Sequence, residues 1–138
     1  MRDEDRGKIH NREWAGRLRD FSGLRFGKIT PTDIDGFMDF NDRVFIFIET
    51  KRGNSEMKYG QRLALERLSD ASAQSGRHAI VIIASHIEEG DIAVAGLPVV
   101  LLRLNGIWRK PHKSINVRTA IEDYLAWATK HETTKNHP

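Results

Sequence analysis

A near-continuous apolar stretch from Arg77 to Ser85 constrains the fold of this chain more than any other segment. An unbroken run of aliphatic residues of this length is typical of a strand that is covered on both faces. Such a strand needs helices above and below its sheet. Amphipathic periodicity predicts three helices, over about 12–22, 56–74 and 116–129, and Asn11 and Ser55 are candidate caps of the first two. The apolar stripe of the second helix is predicted to consist of Met57, Ala64, Leu65, Leu68 and Ala71.

The other strands are predicted from β-branched and aromatic residues that lie between turn signals. Val44 to Lys51 is the clearest of them, and Asp33 to Phe40 is predicted as its antiparallel partner, because Asn41-Asp42-Arg43 is turn material. Shorter strands are predicted over 25–30 and within 94–104, where Gly96 and Pro98 make the early part irregular. Asn105-Gly106 is a strong turn signal after the second of them. This order of elements predicts an α/β fold with a central mixed β-sheet flanked by helices on both faces.

Length and composition limit the class of protein. The 138 residues fit a single domain, with loose ends expected over 1–10 and 131–138. The longest apolar runs are too short to span a bilayer, and no signal peptide is visible, so we expect a cytoplasmic protein that makes no membrane contact. The absence of cysteine excludes disulfides and thiolate metal sites, and the net charge of +3 is compatible with a polyanionic partner.

The predicted hairpin brings several charged side chains together. Strand side chains alternate between faces, so Asp33 and Asp35 share one face of their strand, and Glu49 and Lys51 share one face of theirs. If the turn centres on Asp42, then Asp35 lies opposite Glu49, and Asp33 lies opposite Lys51. Two carboxylates and an ammonium group then converge on one patch.

Such a patch is costly unless a cation occupies it, because facing carboxylates repel each other and burial raises the cost of their charge. Mg²⁺ prefers hard oxygen ligands and keeps several waters, one of which can become a nucleophile while the ion neutralises charge on a phosphodiester. Lys51 would add a fixed positive charge close to the reacting oxygens. These residue types predict a Mg²⁺ or Mn²⁺ site suited to phosphodiester hydrolysis.

Asp35, the hairpin, and then Glu49-Thr50-Lys51 at the end of an apolar strand resemble the PD-(D/E)XK nucleases. The resemblance covers about residues 12–85 and implies the restriction-endonuclease-like αβββαβ core. It also implies that Asp35 and Glu49 are metal ligands, helped by the backbone carbonyl of Thr50, and that Lys51 is catalytic.

The resemblance implies two further site residues and leaves one question open. Ile34 stands before Asp35 where the family motif has proline, and Asp33 remains a rival for the first ligand. Gln61 matches a polar residue that lines the site in some branches of the superfamily. Glu13 matches a carboxylate that many branches supply to the metal or to water from the first helix.

Basic residues cluster near the predicted site. Arg52, Lys58 and Arg62 are predicted to contact nucleic-acid phosphates, and binding of that kind weakens as salt rises. Further basic residues occur later in the chain: Arg103, Arg109, Lys110 and Lys113. Trp108, beside two of them, could stack on a base or pack in the core beneath the last helix, and core packing is the favoured place.

The leading hypothesis is a metal-dependent nuclease that hydrolyses phosphodiester bonds in DNA. Without a separate recognition domain, we expect low sequence specificity or selectivity for DNA structure, as in recombination, repair or phage DNA processing. The resemblance also suggests a homodimer where two strands are cut. The alternatives are a non-catalytic nucleic-acid-binding module on the same fold, and a protein-interaction subunit that uses its sheet edge.

Overall fold

The computed structural model describes residues 20–87 and 90–131. The chain divides into two units, Met1–Pro31 and Thr32–Pro138. Residues 12–19 of the first predicted helix, and with them Glu13, lie outside the described residues. The prediction that Glu13 contributes a carboxylate to the site therefore stays a prediction.

The described part of the first unit contains a short 3₁₀ turn at Ser22–Leu24 and a tight reversal. Phe26 and Ile29 form an isolated bridge with two backbone hydrogen bonds of 2.9 and 3.0 Å. The strand predicted over 25–30 is wrong, because Gly27, at a φ of 64°, turns the segment back on itself.

In its described residues the second unit contains five strands and two helices. They are, in chain order, β1 (Gly36–Phe40), β2 (Val44–Arg52), α1 (Tyr59–Gln74), β3 (His78–His86), β4 (Val99–Leu104), β5 (Ile107–Arg109) and α2 (Val117–Lys130). The strands form one mixed sheet in the order of the chain, in which β2 and β3 run parallel and the other neighbours antiparallel. The predicted α/β class with a mixed sheet is confirmed.

Each face of the sheet packs against one helix. Ile46 and Ile82, both at 0% exposure, belong to a cluster that includes Tyr124 of α2. On the other face Phe47 packs with Leu65 of α1, which is also at 0% exposure. Full burial of such a side chain is worth about 1.5–3 kcal/mol, so the two layers hold the sheet from both sides, as the apolar run in β3 predicted. No helix in the described ranges is both long enough and apolar enough to cross a membrane.

The predicted hairpin register is confirmed where β1 and β2 pair. Gly36 lies opposite Ile48, and the pairing continues in step up to the turn that contains Asp42. The strand begins at Gly36, however, and not at residue 33 as predicted. Regular pairing stops there because the backbone N–H of Asp35 donates to the side chain of Glu49 and not to a backbone carbonyl.

Helix α1 differs from its prediction in two respects. It begins at residue 59 and not 56, because the N–H of Ser55 donates to the carbonyl of Arg52, which makes Ser55 part of a turn and not a helix cap. Leu68 and Ala71 were predicted to be core residues but are exposed, whereas Ser69 is buried. The side of α1 that faces the sheet therefore carries Leu65 and Ser69, and it differs from the predicted apolar stripe by a rotation about the helix axis.

The C-terminal third also contains an element that the sequence did not predict. Asn105 and Gly106 form the predicted turn, with φ angles of 52° and 77°, and lead into the three-residue strand β5. Trp108 of β5 packs in the cluster on the α1 face, so its predicted place beneath the last helix is wrong. Val94–Gly96, predicted as an irregular part of a strand, is a 3₁₀ turn, and Asn116 caps α2.

Candidate active site at the β1–β2 hairpin

Two carboxylates meet where β1 leaves the ladder. Asp35 immediately precedes β1, and its backbone N–H donates to Oε2 of Glu49 on β2 at 3.3 Å. Thr50 holds Asp35 with two hydrogen bonds, because its backbone N–H and its hydroxyl both donate to Oδ2 of Asp35, at 2.8 and 2.7 Å. These contacts fix the carboxylate of Asp35 beside that of Glu49, as the hairpin register predicted.

The environment of Glu49 strongly disfavours its charged form. The residue is only 5% exposed, and burial raises the pKa of its carboxyl to about 7. The charge of Asp35 and a side-chain contact between the two carboxyls act in the same direction, whereas the N–H of Asp35 and the side-chain amide of Gln61 oppose it. At neutral pH a cation bound here would therefore compete directly with a proton on Glu49.

Helix α1 places Gln61 at this site. Gln61, Leu65 and Ser69 follow one another at four-residue intervals, so they lie along one side of the helix, and that side faces the sheet. The amide of Gln61 contacts the carboxyl of Glu49, and its Nε2 donates to the backbone carbonyl of Asp33 at 3.3 Å. The structure thus brings Gln61 to the paired carboxylates.

Lys51 lies two residues beyond Glu49 on the same face of β2 and is half-buried. Its ammonium forms no ion pair or hydrogen bond with any described residue. The predicted pairing of Asp33 with Lys51 does not form, because the ladder ends at Gly36. The side chain of Asp33 is exposed, and Asp35 is the aspartate that lies beside Glu49.

The donor set at this site matches the preferences of a small hard cation. Over residues 20–87 and 90–131, no three histidine, aspartate or glutamate side chains converge on one point. Asp35 and Glu49 supply two neighbouring carboxylates. Mg²⁺ is commonly held by one or two carboxylates with waters completing its shell, so a pair of this kind is sufficient to hold it.

The three basic residues that were predicted to contact phosphates differ in their surroundings. Arg52 and Lys58 are exposed near the site. Arg62 forms an ion pair with Glu66 at 3.2 Å and lies 5.6 Å from the ring centroid of Trp108, with its side chain 52% exposed. Its guanidinium is therefore anchored to the protein while it remains accessible from solvent.

Sequence reasoning missed the ion-pair network behind Arg62. The guanidinium of buried Arg103 on β4 donates to Asp70 of α1 at 2.8 Å, and Nε1 of Trp108 donates to Glu66 at 2.6 Å. The partners are 33 and 42 residues apart, so no local spacing could have indicated them. The network attaches α1 to β4 and β5 and so holds the helix that carries Gln61.

Comparison of the chain with protein-family models, with curated proteins and with solved structures gave no match. The site is therefore defined by its own geometry: a buried and an exposed carboxylate side by side, a lysine on the same face, and a glutamine from the adjacent helix.

Proposed function

We propose that this chain is a divalent-metal-dependent nuclease of the PD-(D/E)XK type that hydrolyses phosphodiester bonds in DNA. The observation that carries the proposal is the pair formed by Asp35 and Glu49, in which Thr50 fixes one carboxylate and burial raises the pKa of the other to about 7. Lys51, without an ion-pair partner among the described residues, lies on the same strand face.

The succession β1–β2–α1–β3 supports a relation to the heart of the restriction-endonuclease-like fold. A hairpin carries the acidic pair, a helix follows, and a parallel strand returns beside β2. Under this proposal β4, β5 and α2 extend the core on its other side. The strand that the αβββαβ pattern requires before the hairpin is absent over residues 20–35.

Each site residue has a distinct role under this proposal. Asp35 and Glu49 hold Mg²⁺ or Mn²⁺ together with the backbone carbonyl of Thr50. The bound ion supplies Lewis-acid stabilisation of the charge on the phosphate and lowers the pKa of water. The ammonium of Lys51 stabilises negative charge on the phosphate oxygens. The amide of Gln61, which donates towards Glu49, favours the ionised carboxylate that the metal requires.

The substrate is proposed to be DNA selected by its structure more than by its sequence, as in recombination, repair or phage DNA processing. Arg52, Lys58 and Arg62 contact its phosphates, and a homodimer acts where two strands are cut. A nuclease for such substrates works in the cytoplasm, where the chain meets DNA.

The test is cleavage of labelled linear, circular and branched DNA with Mg²⁺, Mn²⁺ or EDTA. The wild-type chain should cut only with the metal, and Lys51→Ala and Asp35→Asn should each lower the rate by about a hundredfold or more. Lys130→Ala, an exposed lysine in the last turn of α2, is the matched control and should cut normally. If the wild type cuts no substrate and binds DNA equally well in EDTA, a non-catalytic binding module is the better description.

A further inference from the structure

A second candidate site lies at the other end of the sheet. A cavity of about 660 Å³ opens between α2, the β3–β4 part of the sheet and the segment that follows β5. His78, at the start of β3, lines it, whereas Glu49 pairs with Ile83, five residues further along β3. At a rise of about 3.3 Å per residue the two places are about 16 Å apart along the strand, and they lie on opposite faces of the sheet.

The floor of this cavity is apolar and aromatic, and it includes the hydroxyl-bearing ring of Tyr124. Ile80, Leu102 and Ile115 contribute aliphatic surface, and the rings of Tyr124 and Trp127 lie nearly parallel with centroids 5.7 Å apart. Tyr124 is only 9% exposed, and its hydroxyl has no hydrogen-bond partner among the described residues. That oxygen is not among the fully buried polar atoms, so solvent reaches it and it is available to pair with a ligand in the cavity.

The rim of the cavity carries positive charge that the described chain does not neutralise. Arg109, Lys110 and Lys113 line it, and none of their side chains forms an ion pair or hydrogen bond with a described residue. Asp123 is the one carboxylate among the described residues of the lining. Arg77 also lines the cavity but is held by Asp42 at 2.7 Å, so it does not count towards the unneutralised charge.

These features specify the chemistry of a ligand. A cavity of this size is within the range of about 300–1,000 Å³ that is usual for small-molecule sites. A fatty acid would satisfy the apolar floor, but it has no group for the hydroxyl of Tyr124 and only one charge for three cations. A flat heteroaromatic ring joined to a phosphate satisfies the floor, the hydroxyl and the rim together.

We propose that this cavity binds a nucleoside phosphate, with the base on the floor at Tyr124 and Trp127 and the phosphate at Arg109, Lys110 and Lys113. The ligand is either a free nucleotide or the terminal nucleotide of a strand, since both present the same chemistry. The inference uses no residue of the hairpin site and does not depend on the nuclease activity proposed above.

The test is calorimetric titration of the Lys51→Ala chain in EDTA, which prevents cleavage. Each of the four deoxynucleoside 5′-monophosphates is compared with its own nucleoside and with inorganic phosphate. The best nucleotide should bind about tenfold more tightly than either part, because each good charge-assisted contact is worth about that factor.

Two variants localise the binding. Lys110→Ala combined with Lys113→Ala should weaken the nucleotide about tenfold and leave the nucleoside unchanged, whereas Tyr124→Phe should weaken both. Lys130→Ala, which is outside the cavity lining, should change neither. A nucleotide that binds no better than inorganic phosphate, or whose affinity neither variant alters, would overturn the proposal.

Competition identifies the source of the nucleotide. An oligonucleotide with a 5′-phosphate and the same oligonucleotide with a 5′-hydroxyl are each added to the chain saturated with the best nucleotide. Displacement by the phosphorylated strand alone assigns the cavity to strand ends, and displacement by neither assigns it to free nucleotides. Equal displacement by both strands contradicts the role of the phosphate and with it the proposal.

Discussion

Ionising Glu49 should lower the free energy of unfolding by a measurable amount that depends on pH. Its pKa rises from 4.5 to about 7, chiefly because the carboxyl is buried and secondarily because Asp35 is charged. A raised pKa means that the folded protein holds the proton more tightly than the unfolded chain does. Stability is therefore unaffected below about pH 4.5, falls as the pH rises, and reaches its full loss of about 3 kcal/mol above about pH 7.

Glu49→Gln keeps the shape of the side chain but cannot ionise. In EDTA the variant should be more stable than the wild type by about 3 kcal/mol at about pH 8 and by less than about 1 kcal/mol at about pH 5. For a chain of this length the change between the two conditions corresponds to about 10 °C in Tm, which thermal unfolding monitored by circular dichroism resolves easily. Glu56→Gln, an exposed glutamate just before α1, should follow the wild type at both pH values.

The outcome that refutes this reasoning is a constant difference in Tm between Glu49→Gln and the wild type across the pH range. Such a result would mean that Glu49 titrates normally and that neither its burial nor Asp35 perturbs it. Adding Mg²⁺ at about pH 8 tests the metal site separately. An ion that binds the ionised carboxylate should raise the Tm of the wild type and leave that of Glu49→Gln unchanged. The absence of that shift would argue against the metal site while leaving the cost of burial intact.

Three further predictions concern the scaffold, each measured by urea denaturation. Asp70→Ala should destabilise the protein by about 3 kcal/mol, because it leaves the buried guanidinium of Arg103 without its closest partner. Arg103→Met should cost less, because it removes the buried charge itself. Equal losses of stability in the two variants would contradict this account. Asn116→Ala should cost about 1 kcal/mol by removing the side-chain acceptor at the start of α2, and no loss would mean that the cap is not needed. Gly106→Ala should cost about 1 kcal/mol because its φ is 77°, whereas Gly96→Ala, at a position with open space and ordinary φ, should be close to neutral.

The parts of the fold that the sequence predicted are those that depend on neighbours in the chain. The hairpin register follows from strand alternation and the turn at Asp42, and it correctly placed Asp35 beside Glu49. The turn at Asn105 also depends on a few adjacent residues. Local rules of this kind need no knowledge of the tertiary structure.

The parts that were missed depend on contacts between distant segments. The start of β1 was misplaced because the N–H of Asp35 is taken by a side chain, which strand patterning does not consider. The strand containing Trp108 has only three residues, too few to show the alternation of apolar and polar side chains that identifies a strand. The ion pair of Arg103 depends on a helix residue more than thirty positions earlier in the chain. The hydroxyl of Thr50, whose part in holding Asp35 was not predicted, could have been suspected only from its place beside Glu49.

The order of the strands also has a consequence for how the carboxylate pair assembles during folding. Every strand pairs with its neighbour in the chain, and the hairpin β1–β2 joins residues only 4 to 12 positions apart, whereas the parallel β2–β3 ladder joins residues 34 positions apart. Because closing a longer loop costs more entropy, we expect the hairpin to form early and the parallel ladder late. Asp35 and Glu49 would then meet in a hairpin that water still reaches, and the burial that makes Glu49 hold its proton would come only when β3 and α1 dock. Between about pH 5 and 7, proton uptake should therefore mark the last stage of folding and not the first.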